Sequence, residues 1–154
     1  MNRLPAEWER QEAVWLAWPT NDNLWPGDLA TVKKRLAAFI GRISTFTPVH
    51  LICANSHQAE AEGEIYQGCA LLANIHFFDF ATDDVWCHDF GPVFYRDKDG
   101  VTAISNWRFN AWGGKFPNWQ KDDAIPQRVA DELGFVQVKQ DIILEGGAID
   151  GNGH

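Results

Sequence analysis

The chain of 154 residues has no apolar run long enough to cross a bilayer. Its first residues, MNRLP, also lack the apolar core of a signal peptide. Basic residues are few. The chain has 13 Lys and Arg and 21 Asp and Glu, which gives a net charge of −8. No basic stripe exists that could neutralise phosphates. We therefore expect neither a membrane nor a nucleic acid as a partner.

Cysteine is also scarce, with three residues at no recognised metal-ligand spacing: Cys53, Cys69 and Cys87. An odd number of unpatterned cysteines is typical of a reduced, cytoplasmic chain. We expect all three to be small, inert thiols rather than nucleophiles.

A zinc site needs His and Cys ligands that converge, usually at a recognised spacing. Three histidines show no such spacing with the cysteines: His50, His57 and His76. We expect these histidines to be isolated residues, most of them at the surface. The glycine pairs are not followed by Lys-Ser/Thr and do not have Rossmann spacing, so no phosphate loop is predicted.

Hydrophobic residues make up 45% of the chain, and they include eight tryptophans. This content predicts a single ordered domain over residues 1–154 with a sizeable core. Apolar runs predict strands, and helical spacing predicts helices, one of them capped by Asp28 and another ended by Gly134. The predicted strands cover residues 13–18, 49–54, 75–80, 135–138 and 142–144, and the helices cover residues 29–45, 56–73 and 122–133. A hairpin over residues 93–95 and 101–107 turns at an Asp-Gly pair. The predicted class is α/β.

The most informative segment is residues 84–92, DVWCHDFGP, predicted to be a loop at a strand end. It places Trp86 three residues before Asp89. A carboxylate can accept two parallel N–H bonds from a guanidinium while an indole offers its face to the charge. The pair therefore favours a flat cation, although an isolated Trp-x-x-Asp is more often a buried Trp beside a turn-capping Asp.

Two further motifs contain polar and aromatic groups next to glycine. Residues 106–115, NWRFNAWGGK, lead two tryptophans and two asparagines into a Gly-Gly pair that permits tight turns. In LEGG, residues 144–147, Glu145 directly follows an apolar strand, where α/β sheets present ligand-binding groups. Taken alone, the first motif is an ordinary aromatic-rich loop, and the second is more often a solvated acid beside a turn.

Cys87, His88 and Asp89 superficially resemble a nucleophile, a base and its orienting acid. Adjacent residues of an extended chain point to opposite faces, so we do not expect them to form a hydrogen-bonded relay.

The order of these motifs resembles the agmatine deiminase / bacterial-type peptidylarginine deiminase family over essentially the whole chain. Residues 5–9 and 12–19, PAEWE and EAVWLAWP, are similar to the opening of that family. Residues 84–92 resemble its Trp-x-Arg-Asp-aromatic-Gly-Pro element, with His88 in place of Arg. FNAWGGK, residues 109–115, resembles the agmatine deiminase branch, and EGGAID, residues 145–150, matches the Glu-Gly-Gly segment.

The resemblance implies part of a five-bladed, pseudo-symmetric α/β propeller, of which this chain would form the first two to three blades. It also implies hydrolysis of agmatine to N-carbamoylputrescine and ammonia, in polyamine synthesis, without metal or organic cofactor. A peptidylarginine deiminase-like activity and a non-catalytic guanidinium-binding or interaction fragment remain alternatives. An open propeller edge would favour homo-oligomers or association with a partner.

By motif, the substrate-binding residues would be Trp86, Asp89, Glu145 and Trp112. The segment around Trp112 has no Arg cluster, which favours agmatine over peptidyl-arginine. The distal amine would have Asp22, Asp28 or Asp84 as candidate partners. The family's nucleophilic cysteine and catalytic histidine are expected beyond residue 154, so we expect this chain alone to be inactive, whether it is a truncation, a fragment or a complete gene product.

Overall fold

The computed structural model describes residues 2–67 and 72–153 and shows two compact units. Unit 1 combines Met1–Arg10 with Trp86–His154, and unit 2 is Gln11–Val85. The single domain expected over residues 1–154 stays a prediction. In the described residues, every helix is too short or too polar to traverse a lipid bilayer.

Unit 2 alternates strands and helices, as predicted. Its elements are β1 (Val14–Ala17), α1 (Leu29–Ile43), β2 (Val49–Ile52), α2 (Asn55–Gln67), a 3-10 turn (Leu72–Asn74) and β3 (Ile75–Phe78). The strands form a parallel sheet in the order β1-β2-β3. Of the helix predicted over residues 56–73, the described residues form α2 as far as Gln67 and a 3-10 turn from Leu72. Residues 68–71, which include Cys69, lie outside the described residues.

One face of this sheet packs on the two helices. Side chains alternate between the faces of a strand, so Val49 and Leu51 of β2 share the face that contacts the helices. They are fully buried together with Ile40 of α1 and Ile65 of α2. This cluster is the hydrophobic core of unit 2.

The predicted side-chain cap at Asp28 is wrong. Asp28 does precede α1, and its carbonyl accepts the Val32 N–H at 3.0 Å. Its side chain makes no capping bond, because φ −115° and ψ −4° place it in the helical region. A capping side chain normally requires an extended backbone at that residue.

The other face of the unit 2 sheet contains an aromatic group in which two histidines are neighbours. His50 lies beside His76 in the parallel register, with ring centroids 5.5 Å apart. Trp15 and Phe78 also contact His50, at 4.7 and 5.0 Å. Burial and the neighbouring His76 lower the pKa of His50. The expectation that these two histidines are isolated is therefore wrong.

Unit 1 contains a mixed sheet in the order β4-β5-β6. Its elements are α3 (Cys87–Phe90), β4 (Val93–Arg96), β5 (Thr102–Arg108), α4 (Ala111–Gly114), α5 (Gln120–Asp123), α6 (Ile125–Leu133), β6 (Val136–Ile143) and a 3-10 turn (Gly146–Ala148). The predicted hairpin is confirmed, since β4 and β5 are antiparallel. Its turn is closed by Asp97, whose carboxylate accepts the N–H groups of Asp99 and Val101 at 2.9 and 2.8 Å.

The end of the chain differs from the prediction at two places. The helix predicted over residues 122–133 is divided into α5 and α6, although it ends at Gly134 as expected, with φ +71°. The two strands predicted over residues 135–138 and 142–144 are one strand, β6, parallel to β5. A polar stretch over residues 139–141 interrupts its apolar pattern where the register of the ladder shifts.

An N-terminal clasp, formed by Arg3, Ala6 and Glu9, ties the start of the chain to unit 1. Arg3 pairs with Arg96 of β4 through two backbone N–H···O bonds of 2.8 Å. The Glu9 carboxylate accepts bonds from the Arg3 guanidinium and, at 2.8 Å, from the Ala6 N–H. These donors lower the pKa of Glu9 to about 2.

The clasp predicts a dependence of stability on acid. Because the Glu9 pKa is lowered on folding, its contribution is complete above the ordinary pKa of 4.5 and is lost as the pH falls through about 2. We expect Glu9→Gln to destabilise unit 1 modestly at pH 7, since the pair is partly exposed. Urea unfolding between pH 7 and pH 2 should show the difference from wild type shrinking below pH 4.5. Glu7→Gln removes the same charge two residues away and is the control; an equal effect there would contradict the clasp.

Candidate functional site

The predicted loop contains a helical turn, α3, which begins directly after Trp86 and includes Asp89. The Trp86 carbonyl accepts the N–H groups of Asp89 and Phe90 at 2.8 and 3.1 Å. The turn closes at Gly91, where a Cβ would lie 2.3 Å from the carbonyl oxygen of Cys87. Only glycine allows that approach. Phe90, only 2% exposed, anchors the turn in the interior.

Trp86 is the residue directly before α3, with non-helical φ −79° and ψ +61°, and Asp89 lies within the turn, three residues further on. The Trp86 indole is 51% exposed and Asp89 is half-buried. An exposed aromatic side chain and a half-buried carboxylate thus stand three residues apart at this turn.

Cys87 does not have the properties of a nucleophile. Burial, with a further contribution from the Asp122 carboxylate, raises the pKa of its thiol. His88, the next residue, is exposed. Our premise that this segment is extended was wrong, because it is helical. The raised pKa nevertheless opposes formation of a thiolate there, which is the species that attacks carbon centres.

The Glu-Gly-Gly segment packs directly against α3. A Cβ on Gly146 would lie 1.8 Å from the His88 carbonyl oxygen. At Gly147 the corresponding position is 3.6 Å from the Asp89 Oδ1 atom and 3.8 Å from the His88 Nδ1 atom. The absence of a side chain at Gly146 is what lets the turn that begins after Glu145 reach Asp89.

The predicted tight turn in NWRFNAWGGK is α4, and it is left-handed. All four of its residues, Ala111 to Gly114, have positive φ. It presents Trp112, whose ring is 6.3 Å from that of Trp86 at an angle of 84°. Trp112 also contacts Phe109 at 5.3 Å and Phe116 at 5.7 Å. The two tryptophans proposed from sequence are thus neighbours.

Unit 1 therefore contains all four residues predicted to bind substrate: Trp86, Asp89, Trp112 and Glu145. The three aspartates considered for a distal amine belong to unit 2: Asp22, Asp28 and Asp84. Within residues 2–67 and 72–153, no three His, Cys, Asp or Glu side chains converge on a point where a metal could bind.

Two polar contacts of this site were missed by sequence reasoning. The Asn110 carboxamide oxygen accepts the Gly113 N–H at 2.8 Å, and the Asp123 carboxylate accepts the Phe109 N–H at 2.6 Å. The Asn-x-x-Gly spacing was a signal for the first contact, because Asn side chains often bond to a nearby backbone N–H in turns. The second joins residues 14 apart in the chain, and no local pattern indicates it.

Comparison with known proteins identifies the family of the chain. Residues 3–154 match the family model described as Porphyromonas-type peptidyl-arginine deiminase. The chain belongs to this family. The agmatine deiminase of Pseudomonas aeruginosa is 35% identical over 160 residues, which cover 98% of this chain and 42% of that protein.

Solved structures of agmatine deiminases have the same fold. The agmatine deiminase of Enterococcus faecalis superposes with a TM-score of 0.87 at 28% identity, covering 99% of this chain and 42% of that one. A substrate-bound agmatine deiminase of C. jejuni gives 0.85 at 31% identity, covering 100% and 44%. The chain thus spans about two fifths of the length of the relatives it matches. The α/β class is confirmed.

The contact between Gly146 and His88 predicts a steric sensitivity. Gly146→Ala should destabilise unit 1 by about 1–3 kcal/mol, because the new methyl group overlaps a backbone carbonyl that is held in α3. Gly147→Ala is the matched control, since its Cβ would make ordinary contacts of 3.6 Å or more. Urea denaturation followed by tryptophan fluorescence measures both. Equal stability of the two variants would contradict the close approach.

The thiols give a second prediction. Burial raises the pKa of Cys53 to about 12 and raises the pKa of Cys87 as well. Iodoacetamide at pH 8 should therefore label both at least about a hundredfold more slowly in the folded chain than in urea. Mass spectrometry of peptides resolves each site, with the urea-unfolded chain as the reference. Rapid labelling of Cys87 in the folded chain would contradict its assignment as an inert thiol.

Proposed function

We propose that this chain supplies the guanidinium-binding part of a guanidine hydrolase of the agmatine deiminase type. The observation that carries this proposal is the packing of the Gly146–Ala148 turn on α3, beside the Trp86–Trp112 ring pair. The Asp89 carboxylate lies at this packing contact, 3.6 Å from the position that a Cβ would take on Gly147, and the turn begins directly after Glu145. Such a constellation suits a flat cation.

The chemistry of a guanidinium matches these groups. Its planar fork donates two parallel N–H bonds to a single carboxylate, and Asp89 takes this role. Trp86 and Trp112, nearly perpendicular to each other, offer π-surfaces to the positive charge. Glu145 supplies a second negative charge. Two carboxylates orient the plane of the cation for attack perpendicular to it.

In the proposed reaction, water replaces one amino group of the guanidine. The C–N bond breaks, a C–O bond forms, and agmatine becomes N-carbamoylputrescine with release of ammonia. The thiolate that attacks the guanidinium carbon and the histidine that transfers protons belong, in this proposal, to sequence beyond residue 154. The chain on its own then binds substrate without turnover. No cofactor enters this reaction.

Agmatine is the favoured substrate because relatives from three organisms are named agmatine deiminases and the segment around Trp112 is aromatic. Peptidyl-arginine is the second candidate, because the family model is described by that activity. A peptide substrate would need cationic groups for its backbone or carboxylate. Only Arg108 and Lys115 contribute positive charge within residues 106–115.

The proposal extends to the whole protein. It would be a cytoplasmic enzyme of polyamine synthesis, built as a five-bladed α/β propeller with this chain as the first two to three blades. Association would occur through β6, an edge strand with four exposed apolar side chains: Val136, Val138, Ile142 and Ile143.

Binding of agmatine tests this function directly. Isothermal titration should detect saturable binding to the wild-type chain. Asp89→Asn should weaken it roughly 10–100-fold, because a charge-assisted hydrogen bond contributes about 1.5–3 kcal/mol. Asp131→Asn, on the exposed side of α6, removes the same charge and is the control.

The titration also separates the substrates. Agmatine should bind more tightly than an N-acetyl-arginine amide, and putrescine, which lacks the guanidinium, should bind least. Tighter binding of the arginine amide would favour the peptidyl-arginine alternative. Absence of guanidine binding, or an unchanged affinity in Asp89→Asn, would contradict the proposed function.

A further inference from the structure

The left-handed turn α4 is the most unusual piece of backbone in unit 1. Ala111 and Trp112 have φ of +52° and +55°, and Gly113 and Gly114 follow with +80° and +77°. Glycine adopts such angles freely, but L-residues with a Cβ avoid them because the Cβ approaches the following carbonyl oxygen. Two non-glycine residues in succession at positive φ therefore need support from the structure around them.

That support comes from Asn110. Its side-chain oxygen accepts the Gly113 N–H at 2.8 Å, and its carbonyl accepts the Gly114 N–H at 2.7 Å. A third bond, from the Lys115 N–H to the Ala111 carbonyl at 2.9 Å, closes the turn. Asn110 thus contacts the turn through both its backbone and its side chain.

The base of the turn is anchored in the interior. Phe109, 4% exposed, packs against Phe90 of α3 with ring centroids 6.0 Å apart. The Asp123 carboxylate accepts the Phe109 N–H at 2.6 Å. The Ala111 side chain is also buried. The turn therefore starts from a fixed position next to α3, the element that presents Trp86 and Asp89.

Reversing the hand of the turn would redirect the Trp112 side chain, because the Cα–Cβ direction follows φ and ψ. In the left-handed turn the indole lies at 84° to Trp86, 86° to Phe109 and 74° to Phe116. This edge-to-face arrangement is favourable for aromatic pairs. The hand of the backbone and the placement of the indole are therefore linked.

From these contacts we infer that Asn110 is a positioning residue. By capping the left-handed turn, it fixes the Trp112 indole in the orientation that contacts the guanidinium ligand. This inference rests on the proposed function for the identity of the ligand. It goes beyond that function in assigning a role to a residue whose own side chain binds backbone and not substrate.

The test compares Asn110→Ala with Asn110→Asp. Alanine removes the acceptor for the Gly113 N–H, whereas aspartate keeps a carboxyl oxygen in the same place and caps equally well. The readouts are agmatine affinity by isothermal titration and the indole N–H resonance of Trp112 in the free chain, assigned through Trp112→Phe.

A glycine pair supplies the control for loss of stability. Gly113 and Gly134 both have positive φ, +80° and +71°, and a Cβ at either would meet open space. Alanine at each position imposes a similar backbone penalty. Gly113→Ala acts inside the turn, whereas Gly134→Ala acts at the end of α6, so only the first should move the Trp112 resonance.

We expect Asn110→Ala and Gly113→Ala to shift the Trp112 resonance and to weaken agmatine binding about tenfold, as the loss of a capping bond implies. The agmatine affinity of Asn110→Asp and Gly134→Ala should stay within about threefold of the wild-type affinity. Aspartate caps the turn nearly as well as asparagine, and Gly134 lies outside the turn.

The outcomes distinguish the positioning role of Asn110 from the proposed function on which it rests. A wild-type chain that binds no agmatine contradicts the proposed function, and the role of Asn110 towards substrate falls with it. Wild-type binding that Asn110→Ala leaves unchanged overturns the positioning role alone. Equal weakening in Gly134→Ala would mean that general destabilisation, and not the turn, reduces the affinity.

Discussion

The close approach of Gly146 to the His88 carbonyl is the contact on which the candidate site depends. With no Cβ between them, the turn that follows Glu145 reaches the short helix α3, and Gly147 comes next to Asp89. Any side chain at Gly146 would separate the two segments. Gly91 imposes a similar constraint one turn further along, where a Cβ would overlap the Cys87 carbonyl. The candidate site is thus built from short backbone turns that can pack closely because glycine has no side chain at these positions.

Much of the fold could be predicted from the sequence, because buried parallel strands are continuous apolar runs and amphipathic helices repeat their apolar positions. The three strands of unit 2 and the hairpin of unit 1 follow these rules. The prediction failed where an element is too short to show its hydrophobic period, or where polar residues interrupt the apolar pattern. The four residues of α3 are too few to show helical spacing. The polar stretch at residues 139–141 interrupts the apolar pattern of β6, although the strand pairs with β5 on both sides of it.

The candidate site was predicted in part, and for a different reason. Trp86, Asp89 and Glu145 came from motif chemistry and family resemblance, and the structure places all three in unit 1. The hand of the turn that presents Trp112 could not be predicted, because alanine and tryptophan have no preference for positive φ. It results from the Asn110 cap and from a fixed base formed by residues distant in the chain. Tertiary contacts of this kind leave no local signal.

The central claim is that a guanidinium binds beside the paired indoles and Asp89. Heteronuclear NMR of the chain, titrated in parallel with agmatine and putrescine, tests it most directly. The account predicts saturable shifts of the Trp86 and Trp112 indole N–H resonances and of the Gly147 amide with agmatine, and almost none with putrescine. Equal responses to the two amines, or agmatine shifts confined to unit 2, would contradict it.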